Sequence, residues 1–468
     1  MLTLYSNGYV RNCEGYSRRE FLRVGSLALG GLSLAQTLAL RAAAQEVGSP
    51  VRDKSVVLLF LQGGPTHVET FDPKMTAPRE YRAMFGEVQT SIPGLTFGSH
   101  FERMAQLAHR MAVVRSFRHG NSSHASASQL VASGGNPTKA NLGSLFARLA
   151  GTNHPTTGMP RNVIINPDAI SEKYKGLYKQ VDRIGYVGDL GNSYAPFDPA
   201  GGGEIKANMT LRLPRARFDD RRSLLQELDT LRRSLEHNDV LQNADSVQRQ
   251  AFDVILGGVA EAFDLSREDP RTLAMYDTSK MRIPDSVLKS KRNNAERFHP
   301  VALGHQMLLA RRLCEAGCGY VTVSSSGWDM HGNALGIDDG IPALAPAVDK
   351  AVAAFLQDVE QRGLSDRILL VITGEFGRTP KINSKAGRDH WGNLCPLVFA
   401  GGGLQMGQVI GASDRNVSVP ATDPISVSDV MATIMHTLFD IGTLRVVRGL
   451  PTNIVRAVEA GQPIPQLV

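Results

Sequence analysis

Five short apolar runs, each ending abruptly in glycine, histidine or acidic residues, constrain this chain more than any other feature. Residues 56–61 run into Gln62-Gly63-Gly64-Pro65-Thr66-His67, and residues 111–114 lead through Arg115-Ser116-Phe117 into Arg118-His119-Gly120-Asn121. Residues 319–323 end in Ser324-Ser325-Ser326-Gly327-Trp328-Asp329, residues 368–372 in Thr373-Gly374-Glu375, and residues 396–400 in Gly401-Gly402-Gly403. Uninterrupted apolar runs of this length are strands covered on both faces, as in a parallel sheet. Helical patterns over 295–315, 344–361 and 426–439 alternate with them. The reading is an α/β protein with a mostly parallel, doubly wound sheet and helices on both faces, whose ligands bind at the strands' carboxyl ends. The stretch 201–297 differs: it opens on Gly201-Gly202-Gly203, is rich in Arg, Asp and Gln, and carries an amphipathic segment over 221–241. It is read as a helical insertion or cap within a single domain spanning 45–468.

Ser17-Arg18-Arg19-Glu20-Phe21-Leu22-Arg23 precedes a mildly apolar run over 24–40, then Arg41-Ala42-Ala43-Ala44-Gln45. Paired arginines, a short apolar stretch broken by polar residues and small residues at Ala42-x-Ala44 form a twin-arginine export signal over 1–44. The run is shorter than the roughly 20 apolar residues a membrane span needs, so no stable span is expected. The expected location is the periplasm or beyond, with the twin-arginine translocase as the export partner. That route carries folded proteins, which raises the expectation of a metal site. Of the formal charge of +6, half leaves with the signal's five arginines and two glutamates, too little remaining to argue for nucleic acid. Cys13 leaves too, and an odd set of Cys314, Cys318 and Cys395 is no disulfide framework.

Five of the 12 histidines, His67, His119, His124, His331 and His390, fall just beyond the apolar runs or in the loops that follow. Asp329 and His331 share a tight loop, and Asp389 adjoins His390. Mixed imidazole and carboxylate donors on rigid strand ends suit a divalent metal, zinc or manganese before calcium. Asp329, His331, His390, Glu375 and His67 are the ligand candidates. The loop Arg118-His119-Gly120-Asn121-Ser122-Ser123-His124 offers a hydroxyl nucleophile, Ser122 or Ser123, and proton carriers, His119 and His124, at the start of a helix near Ala125. Arg378 and Arg118 are candidates for holding an anion. Trp328 and Trp391, the only tryptophans, flank the two His–carboxylate pairs and could wall a site from water.

The segments 61–74, Gly327-Trp328-Asp329-Met330-His331-Gly332-Asn333, Gly374-Glu375-Phe376-Gly377-Arg378-Thr379-Pro380 and Gly387-Arg388-Asp389-His390-Trp391 resemble the signatures of a large exported bacterial family, domain of unknown function 1501 (DUF1501). That family is grouped with the alkaline phosphatase and sulfatase superfamily. The resemblance implies an alkaline-phosphatase-like fold and hydrolysis of phosphate or sulfate esters at metal centres. It implies one metal triad kept in Asp329, His331 and His390. It implies a second eroded, since Gln62 stands where the superfamily has a metal-binding aspartate and Glu375-Phe376 where it has Asp-His. The nucleophile falls on Ser122 or Ser123. Two functions follow as expectations: an exported metal-dependent hydrolase of phosphate, sulfate or related esters, or a non-catalytic envelope protein that binds a glycan, polymer or protein partner.

Overall fold

The computed structural model describes residues 49–171, 174, 181–199, 259–281, 285, 300–332, 335–447, 450–459 and 461–468. The export signal and the amphipathic segment 221–241 lie outside the described residues. In chain order the strands are β1 (Ser55–Leu61), β2 (Glu87–Gln89), β3 (Thr96–Gly98), β4 (Met111–Val114), β5 (Asn162–Ile165), β6 (Tyr320–Ser325), β7 (Ile368–Thr373), β8 (Gly377–Arg378), β9 (His390–Trp391), β10 (Leu397–Gly401) and β11 (Gln408–Ile410). Seven of them form one sheet in the order β11-β4-β10-β7-β1-β6-β5, while β2–β3 and β8–β9 are two-stranded hairpins. Every residue of β1 is buried, as its apolar run requires of a central strand.

Side chains alternate across this sheet and so divide the core into two layers. Val57, Leu59, Leu61, Val321, Val323, Leu370 and Ile372 pack on one face, and Val56, Leu58, Phe60, Tyr320, Leu369 and Val371 on the other. Helices α1 (His124–Ser133), α2 (Leu142–Ala150) and α5 (Val427–Leu438) cover the second face, and α3 (Pro300–Glu315) and α4 (Ile337–Gln361) the first. Each large aliphatic side chain buried this way contributes about 1.5–3 kcal/mol. The sheet is therefore doubly wound, as the sequence pattern requires.

The structure differs from the sequence reading in the direction of one strand, with the turn that follows it, and in the start of one helix. The run 396–400 is antiparallel to both its neighbours, β7 and β4, whereas the other sheet pairings are parallel. Between β7 and β10 lies only the β8–β9 hairpin, with no helix to return the chain for a parallel strand. Gly401-Gly402-Gly403 accordingly turns at the opposite edge, where the Gly402 amide donates to the carbonyls of Ser365 and Ile368 at the start of β7. Helix α4 begins at Ile337, seven residues before the expected start, and accommodates Pro342 and Pro346. The third helix matches its pattern: Ser426 and Asp429 form a reciprocal capping box before Val427.

The described part of the expected insertion, 259–281, holds short turns and the helix Pro270–Tyr276. Glu268 straps it to α3 and α4 by pairing with Arg311 at 2.6 Å, Arg312 at 2.9 Å and Arg362 at 2.9 Å. Arg311 also meets Asp358 at 2.8 Å, and the Tyr276 hydroxyl donates to the same carboxylate. Cys314, Cys318 and Cys395 are free and buried, and burial pushes the Cys314 and Cys395 thiols up to about 12.

Candidate metal centre

Parallel register sets the site. Leu61 of β1 lies beside Ser325 of β6, and Phe60 beside Thr373 of β7, so the loops leaving three central strands emerge together. The Trp328 amide donates to the Gln62 carbonyl at 3.0 Å, fixing Asp329 against the β1 loop. Gly63, at φ +113, makes that approach feasible: a Cβ there would lie 2.5 Å from the Asp329 nitrogen. The hairpin pairs Arg378 with His390 and swings His390 over the same edge. From the other side, His119 and Gly120 amides donate to the Gly392 carbonyl, bringing in the loop that starts α1.

His124, Asp329, His331 and His390 thereby converge, with one potential ligand atom of each lying within 4.8 Å of all the others. Asp329 Oδ1 is 2.9 Å from His331 Nε2 and 3.4 Å from Nε2 of both His124 and His390. His331 Nε2 and His390 Nε2 are 2.8 Å apart. The far nitrogen of each ring is held by an acceptor: His124 Nδ1 by Glu375 Oε1 at 2.7 Å, His331 Nδ1 by Asp389 Oδ1 at 3.2 Å, His390 Nδ1 by the Ser122 carbonyl at 3.0 Å. A neutral imidazole carries one proton, so these partners place it on Nδ1 and turn three Nε2 lone pairs inward.

This donor set fits a divalent ion. A tetrahedral ion bound at about 2.0–2.1 Å would place its donors roughly 3.3 Å apart, close to the spacings found. Carboxylate or carbonyl groups behind each imidazole are the usual outer shell of such ions. Asp329 Oδ1 accepts from Arg378, and with the protons on Nδ1 the three inward Nε2 lone pairs crowd the same carboxylate oxygen with no proton between them. A central cation would relieve both that crowding and the opposed lone pairs. Without one, burial disfavours charge on His124, but hydrogen bonds to Asp329 and Glu375 overcome it and lift the imidazole to about 9. His331 is raised by its bond to Asp329. Burial would raise Asp329, yet the three imidazoles and the Arg378 charge hold it well below the usual carboxylate range.

The other residues singled out by sequence are placed differently. His67 is not in the cluster: it is buried, its Nε2 is 2.9 Å from the Val417 carbonyl, and burial pushes it down to about 4. Glu375 stands behind His124. His119 faces the Cys395 thiol with Nε2 at 3.4 Å, and its Nδ1 accepts from the Asn121 amide. The Ser122 hydroxyl accepts from the Gly392 amide at 2.9 Å, whereas Ser123 is the extended N-cap of α1 with no side-chain capping bond. Arg378 is buried and donates to the carbonyls of Gly63, Gly64 and Arg388 besides Asp329, so it braces loops where the sequence suggested an anion clamp. Arg118 is exposed. Trp328 is part of the main core, and Trp391 packs beside Val68 and Leu394 while donating to the Ser418 carbonyl. Phe376 contacts the cluster, its ring centroid 4.9 Å from that of His124 and 4.6 Å from that of His390.

Fold and site together define an α/β protein with three imidazoles and one carboxylate gathered at the carboxyl edge of its sheet. The chain belongs to the family described as "Protein of unknown function (DUF1501)", whose profile matches residues 53–465. No curated protein matches it. It is similar to the solved structure of a Pseudoalteromonas sp. sulfatase, with 10% identity, a TM-score of 0.36 and coverage of 88% of this chain and 71% of that one. It is similar also to the lipoteichoic acid synthase LtaP from Listeria monocytogenes, with 10% identity, a TM-score of 0.34 and coverage of 88% and 81%. A phosphonate monoester hydrolase from Silicibacter pomeroyi matches with 11% identity, a TM-score of 0.29 and coverage of 88% and 78%.

Proposed function

We propose that the protein is an exported metal-dependent hydrolase of phosphate, sulfate or related esters, working from one metal centre. The observation that carries this reading is the inward set of three Nε2 atoms around Asp329, each imidazole held from behind. His124, Asp329, His331 and His390 would hold zinc or manganese. A divalent ion there supplies Lewis acidity toward an ester oxygen. Ser123 is the hydroxyl best placed to attack. It is exposed at the amino end of α1, beside His124, and its oxygen is not committed to capping, while Ser122 is tied to Gly392. The unpaired amides of the first turn of α1 favour the ester's negative charge. Attack by Ser123 Oγ forms a bond to phosphorus or sulfur as the bond to the alcohol oxygen breaks, the serine proton passing to solvent and the departing alkoxide taking one from solvent; water then attacks the serine ester, the Oγ–phosphorus or Oγ–sulfur bond breaks, and Ser123 regains its proton as the acid leaves.

Two features favour the second reading, a non-catalytic binding protein. Four protein donors complete a tetrahedral set, as in structural zinc sites, and Gln62 donates to Ser324 at 2.6 Å where a second ion would need a carboxylate. The serines separate the readings. On a panel of phosphate, sulfate and phosphonate esters, Ser123→Ala should keep the metal and lose turnover by roughly 10³-fold or more, while Ser122→Ala stays within about 10-fold of wild type. A metal-loaded wild type inert on the whole panel would overturn the hydrolase reading.

Export is proposed from the arginine pair. No helix among the described residues is long and apolar enough to cross a membrane. Arg18→Lys with Arg19→Lys should hold the protein in the cytoplasm on fractionation, because the paired guanidinium groups are what the receptor reads. Normal amounts of the double variant in the periplasm would remove the twin-arginine assignment.

A further inference from the structure

We infer that Glu375 is a positioning residue that sets how tightly the cluster holds its ion, acting through His124 and not as a ligand. The inference rests on the metal site of the preceding reading but not on catalysis. Glu375 leaves β7 fully buried, at 0% exposure, and its Oε1 takes both the Gly63 amide at 2.8 Å and His124 Nδ1 at 2.7 Å. His124 meets Asp329 with Nε2, the opposite edge of the ring. The imidazole therefore stands between Glu375 and the cluster, and the Phe376 ring packs against His124 and His390 from the side.

The three outer acceptors are not equivalent. His390 is backed by a neutral backbone carbonyl. Asp389, behind His331, is 59% exposed and shared with the Asn383 amide. Glu375 alone is both a carboxylate and dry, so its field is little screened. Its Oε2 is buried with no hydrogen-bond partner among the described residues. A buried carboxylate with a bare oxygen is costly unless positive charge lies near. The Arg378 guanidinium acts on it, a cation across His124 would add to that charge, and the Glu375 bond in turn makes His124 Nε2 the better donor.

The test is a double-mutant cycle on the full mature protein, reading zinc affinity by competition with a chelator. Wild type should bind one equivalent. Glu375→Gln should still bind one equivalent, 10- to 100-fold more weakly, the range typical of outer-shell changes. Its cobalt-loaded form should keep the wild-type visible absorption, because no ligand is lost. In a His124→Ala background the same Glu375→Gln change should cost nothing further. Wild-type affinity in Glu375→Gln, or an undiminished loss in the His124→Ala background, would overturn the inference. If Glu375→Gln does not fold, Glu375→Asp, which keeps the charge but withdraws it by one methylene, is read through the same cycle. A wild type that takes up no zinc overturns the metal site itself; one that binds zinc but hydrolyses no ester ends only the hydrolase reading.

Discussion

His331→Ala is expected to strip the protein of its ion and of any ester hydrolysis in the same step. The side chain contributes one of four inward donors and is the closest imidazole to Asp329, at 2.9 Å. Apparent binding energies for four-donor zinc sites run at about 10–16 kcal/mol, so one donor of four is worth about 3–4 kcal/mol, or roughly 10²- to 10³-fold in affinity. The substitution also frees Asp389, which loses its imidazole partner but is already exposed and so gains water at little cost. His331 is itself partly exposed, so the fold should survive and the loss read as a site effect. Dialysis followed by elemental analysis measures it. One equivalent retained in His331→Ala at wild-type affinity would mean that the ion sits elsewhere in the protein and that the imidazoles pair with Asp329 on their own, and the proposed centre would be withdrawn.

Asp329, His331 and His390 were legible because each follows a strand or hairpin whose burial is written in an apolar run, and a parallel sheet delivers its strand ends to one edge. His124 was visible as a reactive residue but not as a member of the cluster. It comes from β4, separated from β1 by two strands in the sheet, and reaches the site only because the 119–122 loop is bonded to Gly392 of the hairpin. No spacing in sequence records that bond. His67 shows the reverse error. It too follows an apolar run, but the β1 loop turns it toward the Val417 carbonyl, a contact that depends on the distant segment 411–420. Strand direction was equally hidden for β10, since burial on both faces looks the same in either direction. Strand β5 escaped notice because only three of its four residues are apolar and Asn162 opens it. The glutamate and arginine after β7 were noticed for their charge, yet both are buried and turned to the inside of the site, where Glu375 backs an imidazole and Arg378 braces three carbonyls and Asp329.

Glu69→Ala is expected to destabilise the fold by about 3–5 kcal/mol and to loosen the ion at the same time. Glu69 and Arg388 form an ion pair at 2.8 Å with 1% and 0% of their side chains exposed. Burial raises the Glu69 carboxyl and lowers the Arg388 guanidinium, in each case against the pull of the partner. Desolvation thus outweighs attraction on both sides, and the pair is not retained because it is a strong stabiliser. Removing one partner is another matter, because Arg388 would be left charged in a dry interior. The pair also joins two loops. Glu69 accepts from the Met84 amide, and Arg388 donates to the carbonyls of Arg82, Thr379 and Pro380, two residues before His390 in the chain. Slack at Arg388 therefore reaches an imidazole of the cluster directly. Glu69→Met with Arg388→Met should recover part of the lost stability, since two apolar groups of similar size relieve the buried charge. It should not recover all of it, because the carbonyls of Arg82 and Pro380 lose their donor. Chemical unfolding of the zinc-loaded and zinc-free forms separates the two effects. A Glu69→Ala protein as stable as wild type, with its ion equally tight, would show that Arg388 finds water or another acceptor and that the pair does not hold the hairpin in place.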